Sequence, residues 1–242
     1  MDKKIAVVMP VANEEATIQK LLTDILKQPY RNMTVMPVMD SYSKDRTQEI
    51  IESMQKKDPR IQLLYNKNST GVVSCYLYGF DQAIRNDADI IVEMDGGGSH
   101  DPVEIPKFVE PLEQGYDCVF STRFRGTGGF KNHPLKRRLV SRGGTWLANA
   151  VLHTSLSDMT SGYEAFRRPV LQAIRDQVGF SNILSLQASH FIQTELRYYC
   201  AKAKSKEVPI VYTGSTSTLK NSTIYKSLLL LFELKSRKPV SF

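Results

Sequence analysis

Apolar positions arrive along the chain in short blocks of two alternating kinds. Residues 5–9, 34–39, 61–65, 90–94 and 117–122 form nearly continuous apolar runs, the length and pattern of strands buried on both faces. Between them apolar residues recur at helical spacing: Ile18, Leu21, Leu22, Ile25 and Leu26; Ile50, Ile51 and Met54; residues 72–83; and Ile105, Phe108, Val109 and Leu112. This alternation predicts an α/β fold with a mostly parallel sheet, helices on both faces and right-handed crossovers. Local signals set the expected boundaries. Pro10 is read as stopping the first strand, Asn13-Glu14-Glu15 as capping the first helix, and Ser43-x-Asp45-x-Thr47 as leading into the second. Asp101-Pro102 has the form of an N-cap with proline at the first helical position. Pro37 lies inside a predicted strand, where a missing N–H argues against an interior position. A late strand is expected over residues 208–212.

The polar residues that end these strands carry the chemistry. Two runs finish in a carboxylate, Asp40 and Asp95, and a third finishes at Pro10 with Ala12 and Glu14 close behind. Parallel strands deliver their C-terminal ends to one edge, so these groups should share a crevice. After Asp95 come Gly96, Gly97 and Gly98, which let the backbone turn sharply and approach a ligand closely. Neither a G-x-G-x-x-G fingerprint after the first strand nor a G-x-x-x-x-G-K loop is present. Carboxylates in place of a glycine cradle point to recognition of base and ribose hydroxyls, with a metal ion between protein and diphosphate.

Charge narrows the field further. Among 242 residues, 32 Lys and Arg outnumber 25 Asp and Glu by seven, which favours phosphates, nucleic acid or an anionic membrane face as partners. From Arg123 to Arg142 there are seven basic residues and no acidic one: Arg123, Arg125, Lys131, Lys136, Arg137, Arg138 and Arg142. In the helix expected there, Arg137 shares a face with Ser141, and Arg138 with Arg142; Trp146, Leu147, Val151 and Leu152 follow. A phosphate site beside a membrane surface is the reading, against a plain solvated basic face. Nucleic acid is not expected as a partner, because the basic residues concentrate in one segment without interleaved aromatic residues. Cys75, Cys118 and Cys200 are widely spaced among apolar neighbours and suit reduced thiols in a cytosolic setting. No secretory signal is read at the start, and no stretch approaches the roughly 20 apolar residues of a spanning helix. The leucine-rich segment 224–234 is long enough to lie in an interface or pack on the body. Asp158-Met159-Thr160-Ser161-Gly162-Tyr163 reads as a polar elbow, or by itself as the capped start of a helix.

Seven stretches, in order over roughly residues 5–170, resemble family 2 glycosyltransferases of the GT-A fold, most closely the dolichyl-phosphate (polyprenyl-phosphate) mannosyltransferase branch. They are VVMPVANEEATI (7–18), VMDSYSKDRT (38–47), STGVVSCYLYGF (69–80), EMDGGGSHDP (93–102), GYDCVFSTRF (115–124), KRRLVSRGGTWLA (136–148) and DMTSGYEAFRR (158–168). The resemblance implies a Rossmann-like nucleotide-binding sheet in one domain over residues 1–220, with residues 1–100 the nucleotide-sugar half and 101–220 the acceptor half, followed by an amphipathic tail over 221–242. It implies that Pro10, Ala12, Glu14, Asp40, Asp95, Gly96 and Gly97 hold a GDP- or UDP-linked sugar. Asp95 would be the metal ligand and, with Arg123 and Arg137, catalytic. Arg123, Arg137, Ser141, Asp158, Thr160, Ser161 and Gly162 would face the acceptor.

The implied activity is inverting transfer of a mannose- or glucose-type hexose to a polyprenyl or dolichyl phosphate. The implied location is peripheral, on the cytoplasmic face of a membrane, with an anionic membrane surface and a membrane anchor protein as partners. Two departures stand out: the family usually has a second acid where this chain has Gly97, and another where it has Ser41. The divalent cation, Mg or Mn, is therefore expected to be held through Asp95 and substrate oxygens. The alternatives are a metal-independent enzyme using the basic run, or a binder without turnover. A sugar-hydroxyl acceptor is the remaining alternative; it would need a carboxylate base, for which Asp158 is the first choice.

Overall fold

A computed structural model describes residues 3–131, 134–213 and 221–242. In chain order the first half runs β1 (Ile5–Val11), α1 (Ile18–Leu26), β2 (Met33–Met39), α2 (Thr47–Gln55), β3 (Leu64–Tyr65), α3 (Val72–Arg85) and β4 (Ile90–Glu93). The second half runs α4 (Ile105–Glu113), β5 (Cys118–Thr122), β6 (Gly129–Lys131), α5 (Leu135–Leu152), β7 (Glu164–Arg167), α6 (Arg168–Gln177), α7 (Ile192–Tyr199), β8 (Ser205–Pro209), β9 (Val211–Thr213) and α8 (Asn221–Lys235). Seven strands pair in the order β3-β2-β1-β4-β7-β5-β8, and β6 pairs with β9 in a separate parallel ribbon. All neighbours in the large sheet are parallel except β7, which runs antiparallel between β4 and β5. One face packs against α3, α6 and α7 through residues such as Phe80, Ile174 and Leu196, and the other against α1 and α4 through Ile18, Leu22 and Phe108. The expected α/β arrangement with helices on both faces is thus present.

Both strand prolines have a physical account. Val35 donates its N–H to Arg60 and accepts from Gln62, so Pro37, two residues on, turns its nitrogen to the same side. There β3 is interrupted. It touches β2 at a single bridge, Val35 to Ile61, and again at Leu64–Tyr65, while the Leu63 N–H turns away to the Gln55 Oε1 at 2.7 Å. The missing donor faces a gap, and the continuous strand expected over residues 61–65 is shortened by the same break. β1 does not stop at Pro10 but continues to Val11. Val8 presents its carbonyl to Met94, so Pro10 faces that same neighbour, past the end of β4 at Glu93.

Other boundaries depart from expectation for reasons of tertiary pairing. Asn13 does not cap α1, which begins at Ile18 after Thr17 with no side-chain cap. Asn13 sits in the left-handed region (φ 57°) and binds the loop after β2 instead: its Oδ1 accepts from the Lys44 N–H at 2.9 Å. The Glu14 N–H donates to Thr47 Oγ1 (2.7 Å) and the Glu15 N–H to Asp45 Oδ2 (3.0 Å). The polar motif before α2 therefore staples two strand-end loops together. The Asp101 carboxylate does accept from the Val103 N–H (3.0 Å), capping the short 3₁₀ turn Pro102–Glu104 before α4. The segment after the elbow at residues 158–163 is the strand β7, not a helix start; the helix follows at Arg168. The late strand divides into β8 and β9, which belong to different sheets. The segment boundary expected at Lys220 lies outside the described residues. Cys75, Cys118 and Cys200 are free and buried.

Candidate active site

The C-terminal ends of β1, β2 and β4 open into a cavity of about 850 Å³. One wall carries Pro10, Ala12, Glu14, Asp40, Asp95, Gly96 and Gly97; the other carries Arg123, Arg137, Ser141, Thr160 and Gly162. Twelve of the fourteen residues singled out from the sequence therefore meet here. Asp158 and Ser161 do not reach the lining and sit fully buried behind it.

The first wall is built by strand ends and fixed from behind. Asp40 Oδ1 accepts from Ser69 Oγ at 3.1 Å and from the Tyr42 N–H at 3.2 Å. Asp95 accepts from Tyr76 at Oδ1 (3.0 Å) and from Ser99 at Oδ2 (2.7 Å). Gly96 lies so close to β1 that an added Cβ would sit 2.3 Å from the Pro10 carbonyl oxygen, which only glycine permits. Burial, followed by the charges of Asp45 and Asp95, pushes the Glu14 carboxyl above its usual range, against the opposing hydrogen bond from Thr17. His100 is buried and stacks on Tyr163 with centroids 4.7 Å apart. Burial pushes it down, so it is neutral at pH 7, and its Nδ1 accepts from the Asp95 N–H at 3.1 Å.

The second wall is built differently, on a buried ionic network. The Arg123 guanidinium makes a two-point contact with Asp158, Nε to Oδ2 at 2.7 Å and Nη2 to Oδ1 at 2.9 Å, and reaches Thr160 Oγ1 at 2.6 Å. Burial alone would raise the Asp158 carboxyl, but the bonds and charge of Arg123, the charge of Arg197 and the Thr160 N–H outweigh it and hold it below the usual range. A carboxylate so engaged is a poor general base. Behind it, fully buried Arg197 donates to Glu164 Oε1 (2.5 Å), the Ser161 carbonyl (2.7 Å) and the Asp158 carbonyl, so one side chain clamps the elbow to the sheet. The Ser161 hydroxyl is occupied by Ser121 at 2.6 Å. Across the β4–β7 pair, Glu164 stands opposite Glu93. Burial pushes the Glu164 carboxyl up to about 7, against the charge of Arg197, and burial with the neighbouring Glu164 pushes Glu93 well up. Gln193, which lines the cavity, donates to Glu93 Oε1 at 3.0 Å and joins this network to the site.

Reasoning on the sequence missed Tyr76, Gln193, Tyr212 and Arg197, and the contribution of α8 through Ile224, Ser227, Leu228 and Leu231. Apolar periodicity hides them, because Tyr76 and Arg197 sit on buried helix faces where an apolar residue would satisfy the same pattern. α8 packs on α5 with Leu230, Leu231 and Leu234 buried, and leaves Tyr225, Leu229 and Phe232 exposed. It is thus apolar on two faces. On α5, Leu135, Leu139 and Trp146 are likewise exposed. Among the described residues no helix is long and apolar enough to cross a membrane.

A model of glycosyl transferase family 2 matches residues 6–175. The polyprenol monophosphomannose synthase of Mycolicibacterium smegmatis is 31% identical over 138 residues, 57% of this chain and 52% of that protein. The dolichol-phosphate mannosyltransferase of Pyrococcus furiosus is 27% identical over 237 residues, 96% of this chain and 63% of its own length. The chain spans between about half and three-fifths of the relatives it matches. Among solved structures, glucosyl-3-phosphoglycerate synthase from Mycobacterium tuberculosis, in complex with Mn2+, UDP and phosphoglyceric acid, aligns with a TM-score of 0.69 at 17% identity, covering 99% of this chain and 80% of that one. A mannosyltransferase from Pyrobaculum calidifontis in complex with GDP-Man and Mn2+ aligns at 0.56 with 16% identity, covering 90% of this chain and 58% of that one.

Proposed function

The chain belongs to glycosyl transferase family 2 and has the GT-A fold, and from that premise we propose that it moves a mannose- or glucose-type hexose from a GDP- or UDP-sugar to the phosphate of a polyprenyl lipid. The observation that carries this reading is that one cavity is lined by carboxylates, by cations and by apolar side chains together. Asp40 and Asp95 supply the first, Arg123 and Arg137 with Ser141 the second, and Val140, Leu147, Leu228 and Leu231 the third. Carboxylates suit ribose hydroxyls, guanidinium groups suit a phosphate, and an apolar lining suits an isoprenoid chain.

In this reading Asp40 and the end of β1 hold the nucleoside, which sets the anomeric carbon between the two walls. Arg137 and Ser141 orient the acceptor phosphate in line with the bond that breaks. That phosphate is already an anion at neutral pH, so no side chain need remove a proton from it. Arg123, locked by Asp158, is fixed in place with much of its charge offset by that carboxylate, and cannot swing to quench the nucleophile. The engagement of Asp158 also speaks against a sugar-hydroxyl acceptor, which would need a free carboxylate base. A divalent cation, Mg or Mn, would neutralise the leaving diphosphate. The site fits one: Asp95 offers hard oxygen donors, and the His100 Nε2–H, buried without a hydrogen-bond partner among the described residues and 3.7 Å from the Asp95 Oδ2, would orient that carboxylate rather than ligate the ion.

We place the protein peripherally on the cytoplasmic face of a membrane. Leu135, Leu139 and Trp146 on α5, and Tyr225, Leu229 and Phe232 on α8, are exposed on two helices that also line the cavity, and Lys136, Arg138, Arg142 and Lys226 are interspersed with them in sequence. Residues 1–100 serve the donor and 101–220 the acceptor, and the tail over 221–242 adds α8, which lines the cavity on one side and turns its exposed apolar face to the membrane, where an anchor protein would join it. Labelled GDP- and UDP-hexoses incubated with polyprenyl phosphate, with and without divalent ion, test the activity. One donor should carry label into the organic phase; donor binding without transfer, under every ion condition, would make the protein a binder instead.

A further inference from the structure

We propose that Glu14 supplies the second carboxylate of a divalent-cation site whose first is Asp95, in the space that Gly97 leaves open. The inference deepens the sugar-nucleotide reading and depends on it only for the diphosphate oxygens that complete the coordination shell.

The loop after β4 is pressed onto the loop after β1. The contact of Gly96 with the Pro10 carbonyl fixes the spacing between them, and the next residue, Gly97, then faces Glu14. A Cβ added at Gly97 would lie 3.0 Å from Glu14 Oε1, 3.5 Å from its Cδ and 3.7 Å from Oε2. An aspartate at position 97 would extend its carboxylate into the volume that Glu14 already fills. The acid is therefore not missing from this site; it arrives from the other strand. Glu14 is held there by two bonds, its N–H to Thr47 Oγ1 (2.7 Å) and Thr17 Oγ1 to its Oε2 (3.2 Å). Gly97 then has a specific use, since any side chain would push against that carboxylate.

His100 gives an independent sign that the site takes a cation. Its Nδ1 is committed to the Asp95 N–H, so its proton lies on Nε2, a tautomer assigned from that bond. Nε2 is buried and without a hydrogen-bond partner among the described residues, and it points at Asp95 Oδ2 from 3.7 Å, too far to bond. A buried donor aimed at a carboxylate but short of it is satisfied when the carboxylate turns, as it does when its other oxygen is drawn to a metal. Among the described residues no three His, Cys, Asp or Glu side chains gather as a metal cluster. Two carboxylates leave most of the shell to water and diphosphate, the pattern of a hard cation such as Mg or Mn. The site is thus weak alone and strengthened by a bound nucleoside diphosphate.

Titration of the purified chain with Mn2+, followed by the electron paramagnetic resonance of the free ion, tests this with Mn2+ alone and with GDP or UDP added. The wild type should bind Mn2+ more tightly by at least about tenfold when the nucleotide is present. Glu14→Gln should weaken Mn2+ binding by roughly tenfold or more under both conditions, with the circular dichroism spectrum unchanged. The double variant Glu14→Ala with Gly97→Asp, which moves the acid to the other strand, should recover most of the loss. Wild-type Mn2+ affinity in Glu14→Gln, or no recovery in the double variant, overturns the proposal. Nucleotide affinity in the presence of chelator separates the two readings. If no nucleotide binds, the donor assignment fails, and the Mn2+-alone arm still decides the role of Glu14.

Discussion

The two walls of the cavity are made by different means. The carboxylate wall is a product of sheet geometry: Pro10, Asp40 and Asp95 lie at the ends of parallel strands, and the backbone ladder puts them side by side. The cationic wall has no such ladder. Arg123 follows an edge-side strand, Arg137 and Ser141 ride on α5, and the elbow carrying Thr160 is held by Arg197, Glu164 and Asp158, all buried. A wall made by a ladder tolerates loss of one side chain, whereas a wall made by a buried ion network depends on each member.

The contrast is broken most severely at Arg197. Arg197→Met should cost about 3–5 kcal/mol of folding stability by leaving Glu164 and three carbonyls, of Ser121, Asp158 and Ser161, without their donor, read as a lower denaturant midpoint. Asp40→Asn, on the carboxylate wall, should leave that midpoint nearly unchanged. Next in size is Arg137→Ala, which should lower turnover by about 10²- to 10³-fold, the range for one electrostatic donor to the transition state, with stability intact.

A smaller effect is expected in the pH dependence of stability. Glu164 has its pKa raised from 4.5 to about 7 in the folded state, so the folded chain holds a proton there that the unfolded chain releases. The stabilisation from this group is complete below about 4.5 and is lost as pH rises toward about 7. The stability of the wild type relative to Glu164→Gln should therefore fall across that window in urea titrations. Smallest of all, Phe232→Ser should weaken sedimentation with anionic vesicles several-fold without altering the hydrolysis-free binding of donor, since Phe232 is exposed on α8 away from the carboxylates.

The same contrast explains what could be read in advance. A carboxylate closing an apolar run marks a strand end in a parallel sheet, so Asp40 and Asp95 were legible together, and with them Pro10 and the glycine turn. β7 was not. Its four residues carry a buried glutamate, Glu164, where an interior strand should be apolar, and only the Arg197 partner, 33 residues further along the helix-rich stretch, makes that burial tolerable. Pairings between distant residues leave no local period. For the same reason Asn13 looked like a cap when it binds Lys44 across two loops, and Asp158 looked like a base when Arg123 already holds it. Gly97 looked like a lost acid because the replacement, Glu14, lies eighty residues earlier in the chain.

The chemical group that receives the sugar is the decisive property of the site. Offered one labelled hexose donor, the chain should glycosylate polyprenyl phosphate and leave the matching polyprenol, which lacks the phosphate, untouched. Label appearing on the free alcohol or on a sugar hydroxyl, with polyprenyl phosphate unmodified, would contradict it.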